Sequence, residues 1–85
     1  MNEPHLKNRL AWQCRRGMLE LDVILIPFLE QHFDSLTSQQ QIDFADLLTQ
    51  ADPDLYTWIM GYGNATTQTD QQMVDIIRDK MNITS

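Results

Sequence analysis

The chain has 85 residues, one cysteine and a formal net charge of −6. That length allows a single small domain, residues 1–85, near the lower limit of what a hydrophobic core holds without staples. One cysteine excludes an intramolecular disulfide, the N-terminus lacks a signal-peptide pattern and no apolar run is long enough to span a bilayer, so a cytoplasmic protein without membrane insertion is expected.

The charge is unevenly spread. In the first sixteen residues Lys7, Arg9, Arg15 and Arg16 face Glu3 alone, whereas the rest of the chain sets Arg78 and Lys80 against eleven acids. An acidic body repels phosphate backbones, which argues against nucleic acid as a partner. A small basic end on such a body suits the orientation of a protein partner.

In chain order, Pro4 can open a first helix whose Leu6, Leu10 and Cys14 share one face. Gly17 either ends this helix or turns the chain sharply into the next. A second helix is predicted from about Met18 to Phe33, with Leu21, Ile24, Leu25, Phe28 and Leu29 as its apolar stripe. Pro27 inside it removes one backbone bond and should kink it. Thr37-Ser38-Gln39-Gln40 has the form of a capping box and opens a third helix carrying Phe44, Leu47, Leu48 and Ala51. Asp52-Pro53-Asp54 signals a fourth start, with Asp52 as cap and Pro53 at the first position. Its face is Leu55, Trp58, Ile59 and Tyr62, until Gly61 and Gly63 break it. A second capping box, Thr69-Asp70-Gln71-Gln72, leads into Met73, Val74, Ile77 and Met81, with Arg78 and Lys80 suited to the last turn. No strand alternation is visible, so the expected fold is all-α, a compact five-helix bundle.

The motifs of catalysis are missing. His5 and His32 lie far apart, and there is no CxxC, HExxH, GxSxG or glycine-rich phosphate loop. Paired carboxylates exist (Glu20 with Asp22, Asp52 with Asp54), yet a bundle this small leaves little room to bury a substrate. The chain is therefore read as no enzyme, with no catalytic residue, metal or cofactor of its own. Trp12 and Trp58 are both expected in or at the core, Met18, Met60, Met73 and Met81 as gap-fillers, and Cys14 as an inert buried thiol.

The run Arg15-Arg16-Gly17-Met18-Leu19-Glu20-Leu21-Asp22 stands out, because it sets four charges and a glycine at the edge of a core element. Arg16 and Glu20 are four apart, which allows an intrahelical ion pair in the less favourable order. Equally, Arg16, Gly17 and Glu20 form one recognition patch in which the bare glycine admits another backbone. Spacing leaves both readings open.

Arg16-Gly17-Met18-Leu19-Glu20, an RGxxE sequence at the first helix junction, is followed some thirty residues later by Asp52-Pro53-Asp54-Leu55 and Trp58. Together these resemble the SdhE-type FAD assembly factors, bacterial relatives of the mitochondrial succinate dehydrogenase assembly factor. The resemblance runs from about Leu10 to Ile77. It implies a five-helix protein, expected to be a monomer, that binds the flavoprotein subunit of succinate dehydrogenase, and that of fumarate reductase, and promotes covalent attachment of FAD to a client histidine. Residue by residue it carries the functional motif onto Arg16, Gly17 and Glu20, and places Arg15, Asp22, Asp52 and Trp58 around or beneath the same surface. The same resemblance implies an alternative role, an antitoxin that neutralises a small membrane-associated toxin by protein binding.

Overall fold

The structure, a computed structural model, describes residues 6–83. Among them the chain forms five α-helices and no strand. The all-α expectation holds.

Helix α1, Leu6–Gln13, buries Leu10 and leads into the buried Cys14, so its inward stripe is the one the spacing predicts. Pro4 lies outside the described residues. Of the two tasks open to Gly17 it performs the second. α1 has already ended at Gln13, and Gly17, with φ +80, turns the chain towards the next helix.

Helix α2, Leu19–His32, continues without a break through Pro27, and a 3-10 turn, Phe33–Ser35, tightens its end. Leu21, Leu25, Phe28 and Leu29 are buried, whereas Ile24 is only partly so. Helix α3, Ser38–Leu47, starts with the predicted capping box, both halves formed. The Gln40 N–H donates to the Thr37 hydroxyl at 3.1 Å, and the Thr37 N–H donates to Gln40 Oε1 at 2.9 Å.

Helix α4, Asp52–Ile59, corrects the expected cap. Ala51 takes that position with extended backbone and no side-chain bond, and Asp52 is the first helical residue. The Asp52 carboxylate is instead engaged by a distant arginine, described below. Tyr62 is also corrected: α4 ends before it, and it stands 73% exposed with its ring edge-on to Tyr56.

Helix α5, Gln68–Lys80, is capped two residues earlier than the sequence signal suggests. The Thr67 hydroxyl accepts the Asp70 N–H at 3.1 Å. Gln71 still reaches backwards, its Oε1 accepting the Ala65 N–H at 2.6 Å. Thr67 wins because its backbone is extended, as a cap requires.

α5 packs on α3 and α4, while α2 packs on α1, α4 and α5. The buried side chains form one apolar cluster. Phe44 sits at its aromatic centre, with ring centroids 5.3 Å from Phe28 and 6.0 Å from Phe33. Truncating such a residue to alanine costs about 3–5 kcal/mol. Trp58 belongs to this core, but Trp12 does not: it is 77% exposed, against expectation. It lies on α1 opposite Leu10, and that helix needs only one face to pack.

Candidate functional site

The turn between α1 and α2 is short, and its anchorage comes from far along the chain. Arg16 reaches across to the end of α3. Its Nη1 donates to the carbonyls of Leu48 at 2.7 Å and Gln13 at 3.0 Å, and its Nη2 donates to the Gln50 carbonyl at 2.7 Å. Its Nε donates to Asp52 Oδ1 at 2.7 Å, so the same contact is an ion pair. The last carbonyls of a helix lack intrahelical donors and carry the negative end of its dipole, which is where a guanidinium is most useful. The planar fork matches several acceptors at once, which a lysine ammonium does not. The Arg16 backbone is fixed too, since its N–H donates to Asp22 Oδ1 at 2.8 Å.

This arrangement settles the reading of Arg16 and Glu20. They are not an intrahelical pair, because Arg16 precedes α2 and its charge meets Asp52. Nor is Arg16 fully open to solvent: its side chain is only 15% exposed. Of the three residues expected to form one accessible patch, Arg16 is therefore largely covered. Gly17 and Glu20 are exposed. A Cβ built on Gly17 would meet no atom within 4 Å, so the space beside it is open.

Arg15, next in sequence, behaves oppositely. It is exposed, and its guanidinium carbon lies 6.0 Å from the centre of the Trp12 ring. Asp22 and Asp52 are half-buried and serve Arg16. Trp58, 6% exposed, belongs to the core and presents almost no face to a partner. Cys14 lies beneath the turn. Burial pushes its thiol up to about 12, with Arg16 lowering and Asp22 raising that value in smaller measure.

Over residues 8–81 the chain matches the family described as flavinator of succinate dehydrogenase. The chain belongs to that family. It is 52% identical over 77 residues to the FAD assembly factor SdhE of Vibrio parahaemolyticus, covering 91% of this chain and 90% of that one. The corresponding factor of Photobacterium profundum is 56% identical over 69 residues, 81% and 78% of the two chains. That of Pasteurella multocida is 46% identical over 78 residues, 92% and 93%. The resemblance read from the sequence is thereby borne out, and the family match spans the turn, Arg16 and its acceptors.

Sequence reasoning missed three residues of this flavinator-family corner. Leu19 and Val23 are 72% and 57% exposed, and with Trp12 they flank the Gly17 turn. A signal was present. Leu19 and Val23 are four apart and fall on the side of α2 opposite Leu21, Leu25 and Phe28, so the helix carries more apolar surface than one core face can take. Among the described residues no helix is long and apolar enough to cross a membrane, and no group of His, Cys, Asp and Glu side chains is placed to hold a metal ion.

Proposed function

We propose that this chain is an assembly factor for succinate dehydrogenase: it binds the flavoprotein subunit and promotes covalent attachment of FAD to a histidine of that client. The observation that carries the reading is the family match over residues 8–81, together with an exposed, rigidly anchored turn at Gly17. The factor acts as a cytoplasmic monomer and extends to the flavoprotein subunit of fumarate reductase. It holds no FAD itself, so the bond-making chemistry is the client's.

A helper without reactive groups accelerates such a step by preferring one client conformation. Covalent flavinylation needs the histidine and the electrophilic methyl carbon of the isoalloxazine held in line, and positioning of this kind lowers a barrier by several kcal/mol. If the factor binds the aligned conformer about 1.4 kcal/mol more tightly than the others, it raises that conformer's share about tenfold. The similarity to FAD assembly factors favours this role over the antitoxin alternative.

The test is deletion of the gene followed by in-gel fluorescence of covalent flavin on the succinate dehydrogenase and fumarate reductase subunits. Loss of the signal, restored by the wild-type chain, is the expected result. Undiminished covalent flavin in the deletion strain would remove the proposal.

A further inference from the structure

We propose that the client is held by the outer face of α2 together with Trp12 and Arg15, and that this surface fits a flavoprotein patch made of an apolar recess with a carboxylate on one side and a basic group on the other. The inference rests on the assembly-factor reading above and names the surface that reading requires.

Among the described residues five large hydrophobic side chains are prominently exposed, and three of them, Trp12, Leu19 and Val23, flank a single turn. The other two stand apart, Ile42 on α3 and Tyr62 beyond α4 against Tyr56. At 3.6 residues per turn, Leu19, Glu20 and Val23 fall within one arc of α2, directly opposite its buried stripe. Pro27 lies on the same outer side and has no N–H, so the Val23 carbonyl receives no bond from it and remains available to a partner's donor. Clustered apolar exposure of this kind marks an interaction site, whereas single exposed hydrophobics are ordinary.

Trp12 has the properties of an anchor. Tryptophan and arginine dominate the residues whose truncation most weakens protein interfaces. Here the Arg15 guanidinium over the indole restricts the ring before any partner arrives, which lowers the ordering cost of binding.

Charge completes the description of the partner. Arg15 and Glu20 are both exposed, and among the described residues neither has an ion-pair partner. Arg16, by contrast, already has Asp52. A positive group on one side of Gly17 and a negative group on the other call for the reverse order on the client. The open space beside Gly17 lets the two surfaces approach closely between those charges.

The experiment measures the affinity of the full chain for purified flavoprotein subunit lacking covalent flavin, by calorimetry or interferometry, with thermal melting recorded for every variant. Trp12→Ala should weaken binding about thirty-fold, as expected of an anchor. The pair Leu19→Ala with Val23→Ala should weaken it about tenfold, and Ile42→Ala should leave it unchanged. All should melt near the wild-type temperature. Arg15→Glu should weaken binding and slow association, with an altered salt dependence. If wild type binds and Trp12→Ala binds within twofold of it, this surface is wrong while the assembly-factor reading survives. If wild type does not bind the subunit at all, that reading fails and this inference with it. A dimer of the chain that Trp12→Ala dissolves would give the face to a second copy and overturn the proposal.

Discussion

Gly17 and Gly61 adopt nearly the same backbone conformation, φ +80 and φ +82, in opposite surroundings. Each closes a junction where an arginine reaches the carbonyl end of a neighbouring helix. At the far junction Arg78 of α5 donates to the Ile59 carbonyl at 2.6 Å, at the end of α4. That guanidinium fills the space beside the glycine, and a Cβ on Gly61 would come within 2.7 Å of Arg78 Nη1. At the near junction Arg16 binds away from Gly17, towards Leu48, Gln50 and Asp52, and leaves the glycine's flank empty. One glycine is required by the arginine packed against it. The other is required only by its own backbone, and a Cβ there would meet nothing within 4 Å.

Substitutions at the two junctions test that contrast. The largest effect is expected for Arg16→Ala. It strands the Leu48 and Gln50 carbonyls and leaves the half-buried Asp52 without its cation, a loss of about 3 kcal/mol where bonds to charged groups contribute about 1.5–3 kcal/mol each and are not additive. Arg16→Lys should recover only part, because an ammonium cannot span the same acceptors. Chemical denaturation of the three proteins checks this. If lysine restores full stability, the guanidinium fork is not the reason for arginine here.

Gly61→Ala comes next, at about 2 kcal/mol. Roughly 1 kcal/mol arises from a Cβ in the left-handed region and the rest from displacing Arg78 from the Ile59 carbonyl. Gly17→Ala should cost only the first part, about 1 kcal/mol, and Gly17→Asn less, since asparagine tolerates that conformation. For a domain of this size 1 kcal/mol shifts the melting temperature by about 4–8 °C, so the two alanine variants are separable. Combining each with Arg78→Ala sharpens the comparison. The Gly61 pair should be less than additive and the Gly17 pair additive. Equal penalties at both glycines would erase the distinction. Larger residues at Gly17 should reduce flavinylation in step with their volume while melting changes little beyond the alanine cost. If activity merely follows melting temperature across Ala, Asn and Arg, the open flank has no docking role.

What was legible in the sequence divides along the same line. Local signals read well: Thr37 with Gln40 forms the expected box, and the Leu21, Leu25, Phe28 stripe points inward. Signals decided by distant residues did not. Asp52 before Pro53 has every mark of a helix cap, but an arginine 36 positions earlier takes its carboxylate and Ala51 caps instead. The box read at Thr69 lies inside α5, because Thr67, with extended backbone, caps the helix two residues earlier. Periodicity also says which residues can face a core, not how much core exists. Trp12, Leu19 and Val23 are apolar enough to be buried, yet the cluster formed by the other faces of α1 and α2 leaves them outside.

The finest test uses Cys14 as a reporter of the near junction. Its thiol is buried beneath the turn and pushed up to about 12 from the usual 9.0, chiefly by desolvation. Because the folded-state value is raised, the thiol's contribution to stability is fully present below about pH 9. It falls as pH rises from there towards about 12, where the unfolded chain loses the proton and the folded chain keeps it. Between pH 8 and pH 10 wild type should therefore lose about 1 to 2 kcal/mol more than Cys14→Ala. The protected thiol should also resist alkylation at neutral pH, reacting only when the α1–α2 turn opens. Loosening the near junction with Asp52→Asn, which removes the ion pair but spares the carbonyl bonds of Arg16, should speed labelling several-fold under native conditions. Arg78→Ala, at the far junction, should speed it only as far as global stability drops. Mass spectrometry of the labelled fraction against time separates the two. Acceleration by Arg78→Ala beyond its effect on global unfolding would mean that the junctions open together, and the contrast between the two glycines would then describe one cooperative unit.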